Sequence, residues 1–465
     1  MFILFAHPFE HFSFRYFLNH SGRIRDVWKL HQQLQRIITK MAKLGSALLL
    51  AASSCVVWFP SCVWSDKPFT HSWDTVADLM SMHGKYRDVP TVDDIKFVAN
   101  NYATITTGTV CSDFVNKTFT IEESVLSVVR RIKAVNPSVV VGMYWRAPFA
   151  LEIADCSWYS EEWNSHPEWR LKDDAGNVIP RGSQFYIDYG NADAREFFAK
   201  VLLNVSSVLL DSGAPVLDYI YIDGAPGPDQ ATEFQLGIGP KRSMQLIQDS
   251  YDCFADIQNR MDNRGLGQRI VLNGMDSNFS ASFHRSSGAA ASMFDHWTIL
   301  QYLNLTNGDF ILNETDAAFR LATGNLTNNF TLQVKGWPGP IIHQRDEYPA
   351  NIPTPTTPAE FQAVAEERFN NELAFFLLVA EPKDFWIYSW FWYWYDYVPN
   401  NAESTVPSHF FPQARCRLGE PKEGYQHEEG TTVYTREFAY ATVYVDLLNR
   451  TACNVTFFSQ GDNGC

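Results

Sequence analysis

No glycine-rich dinucleotide fingerprint and no phosphate-binding loop follows any apolar run in this chain, so the nucleotide-binding α/β folds lose support. No two cysteines stand in C-x-x-C spacing and no paired histidine accompanies them, which argues against a zinc site. Basic charge is scarce. The 37 Lys and Arg face 52 Asp and Glu, a formal charge of -15, and an acidic surface disfavours nucleic acid and anionic lipid as partners. Internal repeats and low-complexity linkers are also missing. The Pro/Thr-rich stretch "YPANIPTPTTP" (348–358) reads as a loop before a helix. No metal or organic cofactor is implied.

What is present points outward from the cell. "MAKLGSALLLAASSCVVWFPSCVWS", from Met41, has the lysine-bearing start, apolar stretch and small residues of a secretory signal. Residues 1–40 then read as a gene-model extension. If the chain starts at Met1 instead, 41–66 reads as a signal anchor behind a basic segment, which is the one route to a membrane. The anchor reading is the weaker, because the stretch is barely long enough to span and holds Ser, Cys and Pro. N-x-S/T sequons at Asn116, Asn204, Asn278, Asn304, Asn313, Asn325, Asn329, Asn449 and Asn454 suit a glycosylated exterior. Beyond Cys55 and Cys62, six cysteines remain: Cys111, Cys156, Cys253, Cys416, Cys453 and Cys465. In an oxidising space they read as disulfide formers.

From residue 67 onward, short apolar runs alternate with helical patterns. The strand candidates are "PFTHSW" (68–73), "YATITTGTV" (102–110), "SVVVGMYW" (138–145), "LDYIYID" (217–223), "RIVLNG" (269–274), "AASMFDHW" (290–297), "FTLQVKGW" (330–337) and "DFWIYSW" (384–390). Eight β-α units predict an α/β fold, a (β/α)8 TIM barrel spanning 67–398. The tail "TVYTREFAYATVYVDLLNRTACNVTFF" alternates and is rich in β-branched and aromatic residues. It predicts two or three antiparallel strands, so 399–465 is a loop and a short C-terminal antiparallel β appendage. In such a barrel the loops after strands two and three are neighbours, which predicts a Cys111–Cys156 disulfide. One further bond is expected among Cys416, Cys453 and Cys465.

A barrel gives Asp223 a meaning. Alternate residues of a barrel strand face inward, and active sites sit at the carboxyl ends of the strands. Asp223 shares parity with Tyr219 and Tyr221, while Ile220 and Ile222 face the helices. Glycoside hydrolysis uses two carboxyl groups, one as acid and one as nucleophile or base. The partner candidates are Asp295, which follows an apolar run among aromatics, and then Asp276. Asp74 is a weaker site candidate, and Asp188 reads as the cap of the helix at "NADAREFFAKVLL". Tyr144, Trp145, Arg146, Lys335, Trp337 and His296 lie at strand ends, where aromatic faces and cationic groups suit a carbohydrate substrate.

The motifs "HPEWRLKDDAGNVIPRGSQFYIDYGNADAREFFAKVL", "LDYIYIDGAPG", "LQVKGWPGP", "CRLGEP" and "YTREFAYATVYVDLLNRTA" resemble the TIM-barrel glycoside hydrolases of hypothetical glycosyl hydrolase family 15, over roughly residues 67–457. The resemblance implies a barrel hydrolase with Asp223 as the strand-four catalytic aspartate. Asp295 departs from it, since related families more often carry glutamate at the sixth-strand position. A secreted glycoside hydrolase is the expectation, and a barrel that binds glycans without cleaving them is its alternative.

Overall fold

A computed structural model describes residues 69, 72–76, 78–84, 91–109, 119–147, 157–181, 184–225, 237–274, 283–284, 286–294, 331–335, 358–380, 386–392, 412–447, 449 and 452–458. All lie in one compact unit, Trp64–Cys465. The chain has an α/β fold of the TIM-barrel kind. Its parallel strands are β1 (Asp78–Gly84), β2 (Thr104–Thr109), β3 (Val140–Arg146), β4 (Tyr219–Asp223), β5 (Arg269–Asn273), β6 (Ala291–Phe294), β7 (Thr331–Lys335) and β8 (Trp386–Trp392). Each pairs with the next in chain order, and β8 pairs with β1 to close the barrel.

Helices fill connections between the strands: α1 (Val92–Asn101), α2 (Ile121–Val135), α3 (Ala192–Ser206), α4 (Pro240–Asn263) and α5 (Pro358–Val379). Local chemistry sets their ends. Thr120 accepts from the Glu123 amide and Glu123 accepts from the Thr120 amide, a reciprocal cap that opens α2. Ile121, Val125, Val128, Val129 and Ile132 then recur on one face and are buried. Gly265, at φ +68°, follows the end of α4, a conformation that glycine adopts without steric cost.

Alternation along the strands divides the core in two. Leu79, Tyr144, Tyr219, Tyr221, Val271, Ala291 and Met293 pack together inside the barrel. Val141, Met143, Trp145, Ile220, Ile222, Ile270 and Leu272 join the layer between strands and helices. Two glycines make room inside. A Cβ on Gly108 would lie 2.1 Å from Tyr144 Cβ, and one on Gly142 would lie 2.2 Å from the Tyr219 ring.

The first strand is corrected. "PFTHSW" is not β1, which starts at Asp78 and reads DLMSMHG. Residues 73–75 form a bend instead, held by the Leu418 and Gly419 amides, which donate to the Asp74 and Trp73 carbonyls at 3.0 and 2.7 Å. Phe69 and Trp73 are buried for other reasons. Phe69 packs on Tyr219 at the amino end of β4, and Trp73 packs on Phe438 of the C-terminal sheet.

That sheet has four antiparallel strands: β9 (Gln426–His427), β10 (Val433–Glu437), β11 (Ala441–Asp446) and β12 (Asn454–Phe457). Ala441, Val443 and Val445 of β11 form its buried face. Buried Arg436 of β10 donates to the carbonyls of Leu377, Leu378 and Ala380 at the end of α5, where a cation is favoured. Cys416 is buried and disulfide-bonded. Cys253 keeps a buried thiol, pushed up to about 12 by burial. Cys111, Cys156, Cys465 and the whole of 1–66 lie outside the described residues, with the signal, anchor and Cys111–Cys156 expectations that fall on them.

Glu122, in the first turn of α2, fastens the segment that follows β3. Its carboxylate accepts from the Ser157 hydroxyl and, at 3.2 Å, from the Trp158 amide, and the residue is fully buried. Burial raises its carboxyl above the ordinary value, and these hydrogen bonds oppose that only in part. The folded chain therefore holds this proton more tightly than the unfolded one. The contribution to stability is complete below the ordinary carboxylate range and is lost as pH rises through the raised folded value. Glu122→Gln is expected to melt above the wild type at pH 7, with the gap closing towards pH 4. Calorimetry over that range checks it, and a variant that melts lower at pH 7 contradicts it.

Candidate active site

Strand β4 ends on Asp223, and Gly224 then turns the chain at φ +64°. The turn is pinned by the Ala147 amide, which donates to the Asp223 carbonyl at 2.9 Å. Parallel register sets Arg146 beside Asp223 and Tyr144 beside Tyr221. All four side chains therefore share the interior face.

The half-buried Asp223 carboxylate is held from two sides. The Tyr144 hydroxyl donates to Oδ2. On the other side Asn273, the last residue of β5, donates from Nδ2 to Oδ1 at 2.6 Å. Both donors are themselves oriented. Arg146 Nε donates to the Tyr144 hydroxyl at 2.9 Å, and the Tyr144 ring stacks on Tyr221 at 5.7 Å between centroids. The Gly274 amide donates to Asn273 Oδ1 at 2.8 Å, which fixes which end of the amide faces Asp223. Below them the Tyr221 hydroxyl donates to Met293 Sδ at 2.9 Å. The result is an aspartate fixed in one rotamer at the carboxyl end of a barrel strand, with both oxygens acting as acceptors. Such a group can serve as a nucleophile or base; neither bonded oxygen is placed as a proton donor.

The other expected residues fare differently. Tyr144 and Arg146 are at the site, but Tyr144 is nearly fully buried and is bonded to Asp223 itself. Trp145 is corrected: it lies in the layer between strands and helices, on the opposite face of β3 from Tyr144 and Arg146, so it turns no face to the barrel interior. The residue that reaches the mouth from β3 is its neighbour, because side chains alternate. Asp74 is not brought to the site. It is exposed, bonded to the Ser72 hydroxyl at 2.9 Å, and precedes β1, at the opposite ends of the strands from Asp223. Asp188 does not cap α3. Asn191 does, accepting from the amides of Asp193 and Ala194. Lys335 is the last residue of β7. Asp276, Asp295, His296 and Trp337 lie outside the described residues.

Asn273 escapes a reading built on carboxylates and aromatics. Its signal in "RIVLNG" is its place: the parity of Val271, the end of a strand, and a following glycine that turns at φ +107°. Among the described residues, no three His, Cys, Asp or Glu side chains stand together in a way that would hold a metal ion.

No family model and no curated protein matches the chain. Solved structures do align. One is the GH36 α-galactosidase AgaA of Geobacillus stearothermophilus with raffinose: TM-score 0.41, 9% identity, 80% of this chain and 47% of that one. Another is Amy13B of Eubacterium rectale: 0.45, 10%, 80% and 86%. A third is an Anoxybacillus α-amylase: 0.43, 8%, 84% and 95%. The chain thus spans about half the length of the α-galactosidase. Identities and scores this low carry no function across, and what the chain does has to come from its own site.

Proposed function

We propose that this chain is a glycoside hydrolase that acts on an oligo- or polysaccharide, with Asp223 as nucleophile or general base. The observation that carries the reading is the Asp223 carboxylate, fixed by Tyr144 and Asn273 at the end of an interior barrel strand. Asp295, the residue after β6, is the proposed general acid, and Asp276, three residues beyond β5, is its reserve. The motif resemblance to hypothetical glycosyl hydrolase family 15 agrees with this assignment. We place the enzyme outside the cell. Exposed Asn449 and Asn454 head two of the sequons and are open to glycan addition there. Among the described residues no helix is long and apolar enough to cross a membrane.

The test is reducing-sugar release from a broad panel of polysaccharides and oligosaccharides by secreted protein, wild type beside Asp223→Asn. Release by the wild type alone supports the proposal, and equal release by both removes Asp223 from the chemistry. A second variant probes the support of the aspartate. Tyr144→Phe keeps the ring stack and loses one hydrogen bond to a carboxylate, worth about 1.5–3 kcal/mol. We expect a fall in kcat of roughly 10- to 100-fold, with Tm lowered by about 5 °C or less. Steady-state kinetics on the released sugar measures it, and an unchanged kcat would remove Tyr144 from the site.

A further inference from the structure

Among the described residues, one polar side chain inside the barrel has nothing to bond. Gln333 of β7 is 0% exposed, and neither its Nε2 nor its Oε1 has a hydrogen-bond partner among the described residues. It pairs with Met293, Met293 pairs with Asn273, and Asn273 bonds Asp223. Residues in register across parallel strands share a face, so Gln333 stands on the interior wall that carries the candidate site. Other buried groups without a bond do not share that wall. Trp145 Nε1 lies in the helix-facing layer, and His284, whose Nε2 is unbonded, bonds Ser292 and packs on Tyr251 of α4.

A buried amide left unbonded is costly, and native proteins retain few. Replacing Gln333 by an apolar residue of similar shape would remove the cost, so its presence calls for a partner that arrives from outside. At about 4.8 Å per strand, three strands set Gln333 roughly 14 Å along the wall from Asp223. A separation of that order is the length of a sugar unit or two. A carboxamide offers one acceptor and two donors side by side, and adjacent sugar hydroxyls each donate and accept. We propose that Gln333 is a specificity residue of this site and takes a vicinal diol of a neutral sugar whose reacting carbon lies at Asp223. This inference rests on the glycosidase reading and deepens it.

The test uses the full chain carrying Asp223→Asn, with and without Gln333→Met. Tm is followed against glucose, galactose, mannose, xylose and their β- and α-linked disaccharides, and Gln333→Met alone is melted without sugar. We expect Gln333→Met alone to melt at or above the wild type, because it deletes an unbonded amide and keeps the shape. We expect at least one sugar to stabilise Asp223→Asn, with its apparent Kd weakened tenfold or more by Gln333→Met. The proposal is overturned if Gln333→Met melts lower, since the amide then has a partner within the protein or an ordered water only. It is also overturned if the sugar shift survives the substitution, or if no sugar shifts either protein. The two readings fail separately. A wild type that cleaves glycans with a KM indifferent to Gln333→Met removes this inference alone, and a Gln333-dependent sugar shift in a chain that cleaves nothing removes only the hydrolysis.

Discussion

Asp223→Asn is expected to lower kcat on the cognate glycan by on the order of 1000-fold or more while the protein melts where the wild type does. The size follows from the role: loss of a nucleophile or general base commonly costs two to four orders of magnitude or above. The unchanged melting follows from the geometry. Asn at 223 keeps the shape, and its Oδ1 still accepts from Asn273 Nδ2. Its new Nδ2 faces the Tyr144 oxygen, which already accepts from Arg146 and has a second lone pair. The substitution therefore takes the charge and leaves the frame. Thermal melts beside single-turnover rates make the separation visible. A variant inactive because it is unfolded would give no support to the catalytic reading, and one that is folded and active would end it.

Seven of the eight barrel strands were legible as apolar runs with helical patterns between them, and each stands within a few residues of its expected place. β1 was hidden because it is not an apolar run: DLMSMHG carries aspartate, serine, histidine and glycine. The neighbouring "PFTHSW" took its place because Phe69 and Trp73 are buried, yet burial there comes from closing the barrel's amino end and docking the C-terminal sheet. At the site, parity along β4 was enough to turn Asp223 inward, since alternation is a property of the strand alone. Parity along β3 gives Trp145 a helix-facing place as plainly, but a tryptophan at a strand end attracts a sugar-stacking reading before its direction is weighed. What alternation cannot supply is register between strands. Asn273 reaches Asp223 only because β4 and β5 align as they do, and nothing within "RIVLNG" encodes the offset.

Register also explains the glycines, and it yields the largest expected structural effect. In "TITTGTV" and "VVVGMYW" a glycine sits where strand propensity would place a β-branched residue. Each lies beside a tyrosine of the next strand. For Gly108 the obstruction is Tyr144 itself: a Cβ would meet Tyr144 Cβ at 2.1 Å and its Cα at 3.1 Å. Those atoms are the rigid root of the side chain, so no rotamer change relieves the clash. β2 and β3 must part, or Tyr144 must leave its place. Overpacking of this kind costs about 3 kcal/mol or more, which lowers Tm by roughly 5–10 °C. Gly108→Ala touches no reacting group, yet it displaces the hydroxyl that holds Asp223, so kcat is expected to fall at least as far as in Tyr144→Phe. A double-mutant cycle isolates the cause. In a Tyr144→Gly background the obstructing Cβ is gone, so Gly108→Ala should cost less than half its original penalty in Tm. An equal penalty in both backgrounds would show that strand geometry at Gly108, rather than room for Tyr144, is what this position protects.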